Sequence, residues 1–322
     1  MANPVPVSYS SPETPIAGGR FVSAGNPNLA QITEFPPSVI CSIPSVEGYS
    51  AYVHPKVIDT GTPGWNGYRY WMSNTNYPGT NDEVENPAIF VSNDGTAWAN
   101  AGSNPVITKP ADWQAGRVYN NDSHILLYDG VMYLYWRVYH LNTPPRERLM
   151  CAHSSDGLTW SEPQMLFGLH EDWGSGLLSP VIERGEGLFY MWSMRDRTTP
   201  TTCVLRTSSH PLGPWSDPVT TNLALPASAG SRRLWHMDCV RTNRGWAMLI
   251  NDRNADPAWL WLAYGKKNGL EWTVRQPPLT NTAPAQYRPS IIHTPDGLDC
   301  WLTNFSASPR RLERTRIEDN QL

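Results

Sequence analysis

The sequence has no cysteine pair, no helical periodicity and no long apolar run, and each absence closes a class of protein. Its five cysteines, Cys41, Cys151, Cys203, Cys239 and Cys300, are scattered and odd in number. None forms a C-x-x-C pair, which removes zinc-ribbon and thioredoxin-like readings. Cys151, Cys203 and Cys300 sit inside apolar runs, where a free thiol serves as a small hydrophobe. A chain of 322 residues needs no disulfide staples, so all five are expected to be reduced and structural. No stretch approaches the roughly 18 uninterrupted apolar residues of a membrane helix. Charged residues make up only 17% of the chain, with a net charge of −4, so no broad basic field exists to hold a phosphate backbone. Neither nucleic acid nor membrane is an expected partner. The opening Met1-Ala2-Asn3-Pro4-Val5-Pro6 lacks the basic patch and apolar centre of a signal peptide. The expected location is the cytoplasm of the producing cell or a virus particle, with other virion proteins as partners in the second case.

What the chain has in plenty is aromatic residues and turn formers. Fifteen Trp and fourteen Tyr stand beside 30 Pro and 24 Gly. Aromatics favour strands while Pro and Gly punctuate corners, so this mixture reads as many short strands, an all-β protein.

A repeat organises those strands. Ser92-Asn93-Asp94-Gly95-Thr96-Ala97-Trp98 returns as Ser154-Ser155-Asp156-Gly157-Leu158-Thr159-Trp160, with weaker copies ending at Trp215 and Trp272. These tryptophans are spaced 62, 55 and 57 residues apart. Asp-Gly marks a tight turn, and the Trp after it can pack between neighbouring sheets. Ahead of each turn lie apolar runs, the first opening each unit at Val57-Ile58, Ile125 to Leu127, Val181-Ile182 and Cys239-Val240. A fifth unit starts at Tyr287, turns at Pro295-Asp296-Gly297 and ends with a strand at about Arg311 to Ile317. A period of roughly 55–60 residues predicts four-stranded blades around an axis, a five-bladed β-propeller. The last unit lacks its fourth strand, so residues 1–50 are expected to supply it and close the ring formed by 51–322.

On these residues the sequence resembles the five-bladed glycosidases of glycoside hydrolase families 43 and 32. The first blade, with His54-Pro55, Trp65-Asn66-Gly67-Tyr68-Arg69-Tyr70-Trp71-Met72 and Glu85-Asn86-Pro87, is also similar to propeller proteins of bacteriophage tail regions. The resemblance implies a carbohydrate partner, hydrolysis of a poly- or oligosaccharide such as a bacterial surface glycan, and inversion at the anomeric carbon. Family 43 places an Asp on the first blade, an Asp on the second and a Glu on the third; here only Asp122 corresponds, with His54-Pro55 and Ser179-Pro180 at the other two positions.

Propeller topology gathers the starts of the inner strands and the loops between second and third strands on one face. Glycoside cleavage needs an acid and a second carboxylate. The candidates are Glu85, Asp122 and Asp238, with Glu85 as acid and either aspartate as base. His54, His124, Arg137, Arg195, His236 and Arg288 are candidates to hold sugar hydroxyls, and Tyr77, Trp113 and Trp173 to stack on sugar rings. Plainer roles stand beside these: Asp122 as a turn cap, Glu85 as a solvated rim residue, Asp238 with His236 as a structural pair, Arg195 in a loop-bracing ion pair. His54, His124 and His236 lack any local ligand spacing. No metal and no cofactor are therefore expected, a central structural ion being the one form in which a metal would fit. The alternative function is a non-catalytic carbohydrate-binding propeller, such as a phage receptor-recognition module.

Overall fold

The computed structural model describes residues 37–78, 81, 84–108, 118–140, 146–168, 176–195, 200–242, 245–253, 258–279 and 286–318. Five four-stranded antiparallel sheets account for all the strands among them. Blade one is β2 (Tyr52–Asp59), β3 (Tyr70–Asn76), β4 (Pro87–Ser92) and β5 (Ala99–Asn100). Blade two is β6 (Val118–Tyr128), β7 (Val131–His140), β8 (Arg146–Ser154) and β9 (Gln164–Gly168). Blade three is β10 (Leu178–Arg184), β11 (Phe189–Arg195), β12 (Thr202–Ser208) and β13 (Val219–Thr220). Blade four is β14 (Arg233–Thr242), β15 (Gly245–Arg253), β16 (Leu260–Gly265) and β17 (Trp272–Val274). Blade five takes β18 (Gln286–Thr294), β19 (Gly297–Asn304) and β20 (Arg311–Glu318) from the C-terminal end, and its fourth strand is β1 (Val39–Ile40), paired with Glu313 and Arg314. The ring is thus closed by an N-terminal strand, as the truncated last repeat required. The inner strands touch in ring order: β2 on β6, β6 on β10, β10 on β14, β14 on β18, and β18 back on β2.

The repeated turn explains both the blade corners and the seams between blades. Ser92 Oγ accepts from the backbone of Asp94 and Gly95, and Asp94 Oδ1 accepts from Thr96 and Ala97. Ser154 and Asp156 repeat the pattern in blade two. Gly95 and Gly157 both take φ of 75°, a conformation that costs a glycine little. The same glycines face an aromatic of the preceding blade: a Cβ on Gly157 would lie 2.3 Å from Trp71, and one on Gly95 would lie 3.1 Å from Trp301. Trp301 Nε1 donates to Gly95 O at 2.8 Å, Trp192 Nε1 to Gly269 O at 2.9 Å and Tyr135 Oη to Pro211 O at 3.1 Å. Each bond runs from one blade's second strand to the next blade's turn. The apolar core fills the layers between blades: one cluster joins Trp192 and Cys203 to Met248, Trp261 and Trp272, another joins Phe90 and Trp98 to Trp301. All five cysteines are buried and free.

Each inner strand carries a register break, at Val53/Lys56, Asn121/His124, Leu178/Val181, Leu234/His236 and Tyr287/Ser290. A bulge of this kind re-aims a side chain. At four of the five breaks a non-glycine residue has positive φ: His54 at 61°, Asp122 at 55°, Ser179 at 51° and Arg288 at 30°. Such a backbone costs on the order of 1–3 kcal/mol per residue and persists only where its surroundings enforce it. Four strained residues with four polar side chains, one from each of four inner strands, mark the candidate site.

Candidate functional site

The side chains released by the bulges meet on the axis. Asp122, only 1% exposed, lies at the middle of this upper tier. Its Oδ1 accepts from Arg288 Nη1 at 2.6 Å, and its Oδ2 from Arg137 Nη1 at 3.3 Å. His54 Nε2 and His236 Nδ1 lie 3.6 and 3.5 Å from the same Oδ1. Neighbours fix each member in turn. His54 Nδ1 bonds Thr75 Oγ1 at 3.0 Å, Arg137 Nη2 donates to Glu147 Oε1 at 2.6 Å, and Arg288 Nη2 donates to Ser123 O at 3.3 Å. The Tyr287 hydroxyl sits between the two rings, 2.6 Å from His236 Nε2 and 3.4 Å from His54 Nε2.

Charge follows from this packing. Burial opposes ionisation of Asp122, and the attraction of His54, Arg288, His236 and Arg137 outweighs it, holding the carboxyl well below its ordinary range. Burial pushes the His54 imidazole down to about 3 and the His236 imidazole well below 6.5, with Asp122 only partly offsetting it. Near neutral pH both rings are uncharged, and the fixed positive charges on Asp122 are the two guanidinium groups. Burial, reinforced by Asp122 and Glu85, pushes the Tyr287 phenol far above its ordinary value, so it stays protonated.

Two residues further along the inner strands lies a lower tier. Lys56 Nζ contacts Asp238 Oδ1 at 2.9 Å, Asp238 Oδ2 at 3.1 Å and Glu183 Oε1 at 3.0 Å. Asp238 Oδ2 also accepts from Ile291 N at 2.8 Å, while His124 Nε2 lies 2.9 Å from Ile182 O. Burial lowers the Lys56 affinity for its proton, and Asp238 and Glu183 outweigh that, so the ammonium is retained.

Of the residues singled out from sequence, the upper tier brings together His54, Asp122, Arg137, His236 and Arg288. Glu85 is buried at the entrance to β4, beside Asn86, whose Oδ1 accepts from Asn120 Nδ2 at 3.1 Å. Its charge bears on Tyr287, which it helps to keep protonated, and on Arg288, whose cation it supports. Asp238 and His124 do not join that tier, and the partner of Asp238 is Lys56 rather than His236. Tyr77 lies on the rim, stacked on Phe305 at 6.4 Å, and Phe305 packs on Tyr287 at 4.7 Å. Arg195 ends β11 in blade three with its stem against Gly176, and its charge bears on the buried Arg206. Trp113 and Trp173 lie outside the described residues.

Sequence reasoning missed Tyr287, Lys56 and Glu183. A signal existed for the first two, since Tyr287 adjoins Arg288 and Lys56 follows His54 by the two-residue period of a strand. Two chemistries can be tested on the geometry. A serine relay through His236 fails, because Ser179 Oγ and Asp122 Oδ1 both face Nδ1 while Nε2 is engaged by Tyr287. A metal centre fits the donor set: one ligand atom each of His54, Asp122 and His236 lies within 4.8 Å of the others, all three residues are buried, and two imidazoles with a carboxylate are donors of the kind that hold a catalytic divalent cation.

No family model matches the chain. A stretch of 126 residues, 34% of this chain, is 30% identical to an A type blood N-acetyl-alpha-D-galactosamine deacetylase of Flavonifractor plautii, of which it spans 16%. The crystal structure of an N-acetylgalactosamine deacetylase from F. plautii, in complex with blood group B trisaccharide, superposes with a TM-score of 0.75 at 19% identity, over 89% of this chain and 96% of that one. A family 117 glycoside hydrolase from Zobellia galactanivorans follows, with TM-score 0.58, 14% identity and coverage of 88% and 91%. An endo-arabinase from Bacteroides thetaiotaomicron gives TM-score 0.59 at 13% identity over 82% and 93%. Its neighbours in fold are glycoside hydrolases and a carbohydrate deacetylase. The resemblance to five-bladed glycosidases is borne out at the level of fold, and one of these neighbours is seen with a carbohydrate bound.

Proposed function

We propose that the protein is a glycan-directed hydrolase whose upper tier removes the N-acetyl group of an amino sugar. The observation that carries this reading is the convergence of His54, Asp122 and His236 on one point of the axis. It is supported by the 30% identity over 126 residues to a protein named for that reaction. Amide hydrolysis requires a polarised carbonyl, an activated water and a proton for the departing amine. A divalent cation on the three ligands would supply Lewis acidity to the carbonyl and to the water. The remaining work falls to the chain's own groups. Arg288 and Arg137 keep Asp122 ionised, Thr75 orients His54, and Tyr287 orients His236. The protonated phenol of Tyr287 can turn its hydrogen bond toward an oxyanion that forms beside the two rings. To Glu85, buried and electrostatically linked to Tyr287 and Arg288, falls the transfer of a proton from water to the departing nitrogen.

A second reading, cleavage of a glycosidic bond by Glu85 and Asp122, is favoured by the burial of both carboxylates and by the influence of both charges on Tyr287. It asks more of Asp122, because a carboxylate held by two guanidinium groups is a weak base. Incubation with N-acetylated glycans separates the readings. Release of acetate without new reducing ends supports deacetylation, provided that His54→Ala and Asp122→Asn abolish it. New reducing ends without acetate would establish the glycosidase, and neither product would leave the binding module.

A further inference from the structure

Beside the upper tier, where the last blade meets the first, the same face holds a groove of about 540 Å³. One wall is the segment Gly48–Ala51 that leads into β2; the other is the turn Phe305–Arg310 between β19 and β20, with Pro78 of the β3–β4 loop between them. These are the start of an inner strand and two second-to-third-strand loops, so the groove opens on the face that carries His54, Asp122 and Arg288. We infer that this groove is a second saccharide subsite, which binds the sugar units next to the one that reacts and selects oligosaccharides over monosaccharides; the inference rests on the glycan-directed reading above.

Four observations support it. The first is contiguity: Phe305 lines the groove and packs on Tyr287 at 4.7 Å, and Tyr287 touches both His54 and His236. One aromatic ring therefore separates the groove from the tier. The second is size, since the volume lies inside the roughly 300–1,000 Å³ of small-molecule sites. The third is chemistry. A pyranose offers an apolar C–H face and a rim of hydroxyls, and the groove offers flat faces and hydrogen-bonding groups together. Tyr49 is 37% exposed, and the Arg310 guanidinium lies over Phe305 at 3.9 Å and over Tyr77 at 4.8 Å. Ser50 and Ser308 are exposed on opposite walls. The fourth is rigidity: Tyr77 N donates to Ala51 O at 2.7 Å and Arg310 Nη1 to Tyr77 O at 2.8 Å, tying the walls through a shared residue. A pre-formed site of this kind binds without an ordering cost. Among the described residues the lining has a single cation and no carboxylate, which suits a neutral sugar chain.

The experiment is calorimetric titration of the full chain with matched mono- and trisaccharides carrying N-acetylated gluco-, galacto- or mannosamine. Wild type is compared with Tyr49→Ala, which removes a sugar-facing ring, and with Ala307→Trp, which fills the groove. Neither residue belongs to the upper tier, and unchanged thermal melting checks their folding. At least one trisaccharide is expected to bind about tenfold tighter than its monosaccharide. Both variants should erase that gain and leave the monosaccharide constant unchanged. A gain that survives in both variants, or no gain for any pair, overturns the subsite. Because binding is read without turnover, loss of the gain in a protein that releases no acetate sustains the subsite while the deacetylase reading falls.

Discussion

Asp122 of blade two and Arg288 of blade five meet over the axis of the ring at 2.6 Å, although β2 stands between their inner strands on one side and β10 and β14 on the other. Both side chains are about 1–2% exposed, and both backbones are held at positive φ. The pair thus joins two strained bulges across the molecule. Removing Arg288 takes the closer of its two guanidinium partners from a carboxylate in a dry site. Arg288→Met is expected to lower stability by about 3–5 kcal/mol in urea unfolding. Arg288→Met combined with Asp122→Leu should recover part of that loss. A single variant within about 0.5 kcal/mol of wild type, the range of ordinary surface substitutions, would contradict the central role given to this contact.

The lower tier makes a different prediction for a residue that sequence alone placed among the catalytic candidates. Asp238 bonds Lys56 and the amide of Ile291, so its carboxylate is a brace between blades four, one and five. Asp238→Asn should reduce stability by about 3–5 kcal/mol, as expected for a broken buried ion pair. The folded fraction should keep its turnover number. Glu85→Gln should do the reverse, with little change in melting and a fall in turnover of about 100-fold, the usual scale for losing a general acid or base. A profile in which Asp238→Asn eliminates turnover while melting is unchanged would return Asp238 to the chemistry.

The seams between blades are open to a paired test. A methyl group on Gly157 would sit 2.3 Å from Trp71, whereas one on Gly187 would meet nothing within 4 Å; both glycines have φ of 75°. Gly187→Ala isolates the backbone cost, about 1 kcal/mol. Gly157→Ala should cost about 2–3 kcal/mol more, because an over-packed core must shift. Equal melting temperatures for the two would mean that the turn does not key one blade to the next.

Much of this architecture was legible in the sequence because it is local. The Ser-x-Asp-Gly-x-x-Trp turn declares its own hydrogen bonds, and a strand missing at one end of a closed ring must come from the other. The positions of the inner-strand starts were legible for the same reason, which is why His54, Asp122, His236 and Arg288 were all named. What the sequence hid is depth. His54 and Lys56, Asp122 and His124, or His236 and Asp238 share a face at period two, but lie about 6–7 Å apart along a strand. A bulge decides which of each pair reaches the upper tier. Lys56 shares a strand face with His54, but its role was hidden because its partners, Glu183 and Asp238, come from blades three and four.

The repeated turn also predicts an acid response. Backbone N–H groups of Ala97 and Thr96 hold the Asp94 carboxyl down at about 2, and those of Thr159 and Leu158 do the same for Asp156. A carboxyl whose pKa is lower folded than unfolded contributes stability at neutral pH that is lost as it takes up its proton. The contribution is complete above about pH 4 and disappears as pH falls through about 2. Asn at both positions keeps an acceptor oxygen but cannot titrate. The melting temperature of wild type should exceed that of the Asp94→Asn, Asp156→Asn variant at pH 6, and the gap should narrow as pH falls from about 4 to about 2. A gap that is constant across this window would show that the two carboxylates act as neutral acceptors.

The ligand set in the upper tier can be tested without any substrate. A cation that binds only the folded chain raises the melting temperature by mass action, by about 2.7 kcal/mol of stability at a hundredfold excess over its dissociation constant. Zinc or manganese added to chelator-treated protein should therefore raise the melting temperature of the wild type and of Glu85→Gln. It should not raise that of His54→Ala with His236→Ala, since a lone carboxylate engaged by two arginines is a poor site. Substituting both histidines also removes the contacts to Thr75 and Tyr287, so the double variant starts from a lower melting temperature. The informative quantity is therefore its shift on adding metal, not its absolute value. An equal shift in wild type and double variant would place the cation elsewhere, and the upper tier would then have to work with Asp122, Glu85 and Tyr287 alone.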